Sequence, residues 1–153
     1  MPGGRPAFLN VVERSLLGLV QRVLEHTKGG TDREAQRAWF RGACITIFRT
    51  IEKVVVLHLN PQLEILSYEV AAIGSATATL MEPVEIYRNA MLARASSLIV
   101  VHNHPSGHCK PSEADISIAM KLHELGVIHG MPLQDFIIIG DGTYGSFRED
   151  RRI

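Results

Sequence analysis

The chain has 153 residues, 46% of them apolar and 21% charged, the size and make-up of one globular domain and unlike a disordered polymer. Sixteen Lys and Arg balance sixteen Asp and Glu, so the summed charge leaves no electrostatic footprint for nucleic acid. Cys44 and Cys109 are too few for a disulfide framework, and no apolar run approaches the ~20 residues of a membrane span or the pattern of a signal peptide. These features predict a cytoplasmic protein with reduced thiols and no membrane contact.

Met1 to Pro6 is a Gly- and Pro-rich tail. From Asn10 to about His26, Val12, Leu16, Leu19, Val20, Val23 and Leu24 recur at helical spacing, and Gly29-Gly30 ends that helix. Thr31-Asp32-Arg33-Glu34 has the form of a capping box opening a second helix towards Phe48, with Trp39, Phe40 and Ile47 on its buried side. Val54 to Leu59 is a β-branched strand closed by Asn60-Pro61, and Leu63 to Ala72 reads as its hairpin partner. Pro83 suits the first turn of a helix reaching about Ala95. Leu98-Ile99-Val100-Val101 is a continuous apolar run, as expected of a central strand covered on both faces. Ser112 opens another helix ending near Gly126. Phe136 to Ile139 is a strand, and Asp141-Gly142 turns into a last one at Tyr144 to Phe147. The fold class is therefore α/β (α+β), a mixed sheet sandwiched by helices.

The chemistry is concentrated between Val101 and Asp115. Side chains alternate on a strand, so His102 and His104 project to one side at the end of the central strand and Asn103 to the other. Pro105 and Gly107 turn the chain, and Pro111-Ser112 starts a helix with Asp115 in its first turn, where the helix dipole favours a carboxylate. Two His and one carboxylate leave a tetrahedral Zn²⁺ an open position for water, whose pKa zinc lowers to about 7. Each piece has a plainer reading, since Ser-x-x-Asp is also an ordinary N-cap; the joint pattern is what points to a metal.

The letters argue against several other motifs. His102-Asn103-His104 spells a nuclease name, but that nuclease spreads its residues over a hairpin and helix. A metallo-β-lactamase-like pattern needs acid and His where Ser106 and Gly107 stand, and a cupin needs a glutamate where the chain has His108 and Cys109. An amidohydrolase barrel needs a longer chain. A non-haem iron oxygenase stays open, because two His and one carboxylate suit it as well. Cys109 reads as an ordinary loop cysteine or as a thiolate ligand. From the residues alone, Glu52, Glu64, Glu69, Glu82 and Glu85 are equal candidates for a general base.

Laid out this way, the chain resembles the RadC-like members of the JAB/MPN (JAMM) metalloprotease superfamily. The signature stands as His102-Asn103-His104-Pro105-Ser106-Gly107 and Pro111-Ser112-Glu113-Ala114-Asp115. The likeness runs from about Thr31 to Glu149, dividing the chain into a tail and helix over 1–30 and the RadC-like JAB/MPN domain over 31–153. The resemblance implies a cytidine-deaminase-like fold and one Zn²⁺ per chain on His102, His104 and Asp115. It implies hydrolysis of a peptide or isopeptide bond in a peptide or protein substrate. It also singles out Glu52, just before the first long strand, as general base and acid, and Ser112 as the donor to the developing oxyanion.

Three departures accompany the likeness. Longer members carry an N-terminal helix-hairpin-helix region for DNA, whereas about one helix precedes the core here. The family's Pro-Arg-Glu is Pro83-Val84-Glu85, and its Asp-His is Asp135-Phe136. A non-catalytic MPN scaffold or a DNA-repair accessory protein is the alternative expectation; the intact signature argues against the first and the neutral charge against the second.

Overall fold

The structure is a computed structural model that describes residues 52–74, 81–140 and 143–153. The helices expected before Phe48, with Trp39, Phe40, Ile47 and Cys44, and the Asp141-Gly142 turn lie outside the described residues.

The first hairpin pairs β1 (Lys53–Leu59) with β2 (Ile65–Ile73) in antiparallel register. The second strand begins two residues later than Leu63. The intervening turn is closed by Asn60, whose Oδ1 accepts from the amides of Gln62 (3.0 Å) and Glu64 (2.9 Å), and Leu63 is left-handed at φ 63°. Helix α1 (Pro83–Leu92) starts with Pro at its first position. It stops before Ala95, because Arg94 takes φ 56° and turns the chain into β3 (Ser97–Asn103).

Helix α2 (Glu113–His129) opens on Ser112 with a complete capping box and closes on Gly130 in the left-handed conformation. It runs through Gly126 instead of ending there. A Cβ on Gly126 would lie 2.7 Å from the Tyr87 hydroxyl and 2.8 Å from the Met131 carbonyl. That glycine lets α2 press against α1, where the Tyr87 hydroxyl donates to the Leu122 carbonyl at 2.7 Å. Strands β4 (Leu133–Ile139) and β5 (Tyr144–Ser146) complete the chain. The first is longer than Phe136 to Ile139, and the second is a residue shorter than expected.

The sheet order is β2-β1-β3-β4-β5, with β3 antiparallel to β1 and parallel to β4 across the α2 crossover. All seven residues of β3 are buried, as its unbroken apolar run requires. Val54, Val56, Leu98, Val100, Phe136 and Ile138 share one core with Ile86, Tyr87 and Ala90 of α1 and Ile118, Ala119 and Leu122 of α2. Val55, Leu57, Leu59, Ile99, Val101, Ile137 and Ile139 form a second core on the opposite face. Among the described residues no helix is long and apolar enough to cross a membrane.

Candidate metal centre

The register of β1 against β3 brings the site together. Val54 lies opposite His102, and opposed residues of an antiparallel pair share a face. Alternation then puts Glu52, Val54, His102 and His104 on one face, the side on which α1 and α2 pack. The crossover delivers the start of α2 to the same end, with Asp115 third in the helix.

His102 is buried between two carboxylates. Its Nε2 lies 2.9 Å from Glu52 Oε1 and its Nδ1 2.9 Å from Asp115 Oδ1. His104 sits edge-on to His102, ring centroids 4.8 Å apart. Its Nδ1 donates to the His108 carbonyl at 2.9 Å, and its Nε2 lies 3.1 Å from Asp115 Oδ2. Asp115 is wholly buried. Its Oδ2 also accepts from the Ser112 amide (2.8 Å), while its own amide donates to Ser112 Oγ (3.1 Å). The Asp115 Oδ1 approach to His102 is close but off the hydrogen-bond axis, and no other described donor reaches that oxygen.

Burial on its own would raise the Asp115 carboxyl. The imidazoles of His102 and His104, with the amide and hydroxyl of Ser112, outweigh it and hold the group far below the usual carboxylate range. The Asp115 carboxylate in turn raises the His104 imidazole above its ordinary value, against the opposing effect of burial.

This donor set fits a divalent cation. A carbonyl accepts and never donates, so the bond to His108 fixes the proton of neutral His104 on Nδ1 and turns the bare Nε2 towards a carboxylate oxygen. Two acceptors so placed require a proton or a cation between them. Glu52 and Asp115 together carry the two negative charges that a divalent ion neutralises. Ligands of a tetrahedral zinc with bonds of about 2.0–2.1 Å sit about 3.3 Å apart, close to the 2.9 and 3.1 Å separations here. By proximity the group that can hold an ion is Glu52, His102 and His104, whose ligand atoms lie within 4.8 Å of one another. Asp115 reaches both imidazoles from beneath.

Of the five candidate glutamates, Glu52 alone meets this pair of imidazoles. Glu64 accepts from Asn60, Glu69 from Asn89 and Glu85 from Arg88, while Glu82 caps α1 by position. Cys109 stands apart, its half-buried thiol 3.8 Å from the Thr143 hydroxyl. Three features escaped the sequence reading: the His108 carbonyl, the side chain of Asn103, and Gly140 with Gly145, against which the Gly107–Cys109 backbone lies within van der Waals distance. The only sequence signal for them was two glycines flanking the last turn.

The sequence profile of the RadC-like JAB domain matches residues 34–152. The chain belongs to the RadC-like JAB family. A UPF0758 protein of Methanosarcina acetivorans is 43% identical over 99 residues, covering 65% of this chain and 43% of that protein. One from Thermosynechococcus vestitus is 39% identical over 103 residues, 67% of this chain and 41% of the relative. One from Bacillus licheniformis is 38% identical over 102 residues, 67% and 46%. The chain thus spans under half the length of the curated relatives it matches, and their names assign no activity. Among the described residues, the five-stranded mixed sheet and two helices form the α+β architecture of this RadC-like JAB domain. At the two positions where the chain departs from the signature, Val84 is exposed on α1 and Phe136 is buried against Phe147, ring centroids 5.0 Å apart.

Proposed function

We propose that this RadC-like JAB domain is a zinc-dependent hydrolase of peptide or isopeptide bonds, with His102, His104 and Asp115 holding the metal. The observation that supports the reading most is the acceptor-to-acceptor approach of His104 Nε2 and Asp115 Oδ2, fixed from behind by the His108 carbonyl. Zinc supplies Lewis-acid activation of water at neutral pH in a set of this kind.

The remaining steps belong to the chain. His102 and Asp115 are buried, whereas Glu52 and His104 are partly exposed, so water and substrate approach from the Glu52–His104 side. Glu52 takes the proton from the water whose oxygen attacks the carbonyl carbon. It returns that proton to the leaving nitrogen as the C–N bond breaks. Ser112 spends its oxygen lone pair on the Asp115 amide, which leaves its O–H to donate to the carbonyl oxygen as charge gathers there.

A second ligand assignment is favoured by the proximity of Glu52, His102 and His104. Glu52 is then the third ligand, and Asp115 supports His102 from its Nδ1 side. Metal content of wild type, His104→Ala, Asp115→Ala and Glu52→Gln separates the two, with cleavage of a randomised, internally quenched peptide pool as the activity readout. The first assignment expects about one zinc in wild type and in Glu52→Gln, loss in the other two variants, and cleavage by wild type alone. Zinc lost from Glu52→Gln makes Glu52 a ligand. A folded wild type that takes up no zinc refutes the hydrolase, and zinc without cleavage of any peptide or isopeptide probe favours the scaffold module.

A further inference from the structure

We infer that Asn103 is a positioning residue for the Glu52 carboxylate, an inference that rests on the role proposed for Glu52. The β1–β3 ladder ends at Val54 opposite His102. One step further on, the backbone of Asn103 pairs with Ile139 of β4, and β1 would lose its neighbour on that side. The Asn103 side chain replaces it: its Oδ1 accepts from the Lys53 amide at 2.6 Å. On the other side of β1, the Gly74 amide donates to the Glu52 carbonyl at 2.8 Å.

The two bonds hold opposite ends of one peptide unit, the Glu52 C=O and the Lys53 N–H. A peptide unit is planar, so fixing both polar groups fixes the plane from which the Glu52 side chain departs. The Glu52 side chain departs from that anchored plane and places its Oε1 2.9 Å from His102 Nε2. Asn103 is itself buried between His102 and His104 in sequence. One residue therefore ties the distance between proton carrier and metal pair to the strand that bears the pair. The bond is also short and partly buried, where an amide left without a partner is costly.

The test compares Asn103→Ala and Asn103→Asp with wild type, each zinc-loaded, on the pool peptide that wild type cleaves fastest. Asn103→Ala is expected to keep one zinc per chain and its KM while kcat falls about 10–100-fold, the usual cost of removing an outer-shell partner. Asn103→Asp, whose carboxylate accepts the same N–H, is expected to recover most of the loss. Exchange of the Lys53 amide proton is read in parallel: slow in wild type and Asn103→Asp, fast in Asn103→Ala. Unchanged kcat, zinc lost in step with activity, or no recovery in Asn103→Asp overturns the inference. Should wild type cleave nothing, the proposed function fails by itself, and Lys53 exchange unaltered in Asn103→Ala then overturns the clamp independently.

Discussion

Gly140→Ala probes the link between packing and metal affinity most directly. Gly140 does not take a positive φ, so its backbone admits alanine and the perturbation is purely steric. A Cβ there would lie 2.5 Å from the Gly107 carbonyl oxygen and 3.1 Å from the Cys109 amide. Both neighbours are backbone and cannot swing aside. A carbon–oxygen contact relaxes at about 3.3 Å, so the loop must retreat by roughly 0.8 Å. The His108 carbonyl travels with it, and its 2.9 Å bond from His104 Nδ1 stretches past the limit of a hydrogen bond. With His104 a zinc ligand, as proposed, losing its outer-shell partner is expected to weaken affinity about 10–100-fold, or ~1.4–2.7 kcal/mol. The assay is zinc titration at neutral pH against a chromophoric chelator, with circular dichroism to verify the fold. A zinc affinity within about twofold of wild type would refute the reasoning that the loop orients His104.

Other outcomes follow from separate parts of the fold. Gly126→Ala gains about 1 kcal/mol of helix propensity but forces Tyr87 off the Leu122 carbonyl. A net loss of about 1–3 kcal/mol in chemical denaturation is expected, and a more stable variant would show that α1 yields. Ser112→Ala removes the N-cap of α2. It should cost about 1 kcal/mol of stability together with a fall in kcat, while loss of stability alone would confine Ser112 to capping. Asp135 is buried, and desolvation pushes its carboxyl from 3.8 up to about 6 against hydrogen bonds from Ser146, Arg148 and Phe136. The folded state holds this proton more tightly than the unfolded one, so stability should fall as pH rises from about 4 to 6, by up to ~3 kcal/mol. Asp135→Asn should flatten that slope, its amide able to donate to Ser146 in place of the bond Asp135 accepts. Equal slopes in the two proteins would place the shift elsewhere. Asp115 acts in a different window: its depressed carboxyl contributes stability that is lost only as pH falls below the ordinary carboxylate range.

What the sequence determined by itself was whatever depends on near neighbours. Val54 to Leu59 and Leu98 to Val101 declare strands because β-branched and apolar runs suit pleated, buried backbone. A period of two puts His102 and His104 on one side, and Ser112 with Asp115 states its own helix start. Gly126 misled for the same reason: inside a local window glycine signals an end, and its use here is contact with Tyr87, 39 positions earlier in the chain. Only the tertiary structure decided which glutamate meets the imidazoles. Glu52 and His102 are 50 residues apart, and the register that joins them was set by matching two apolar faces across the sheet. The same holds for the His108 carbonyl behind His104 and for Asn103 across to Lys53. Backbone groups have no letter in a sequence, and a side chain that braces a distant strand looks like any other asparagine until the strands are paired.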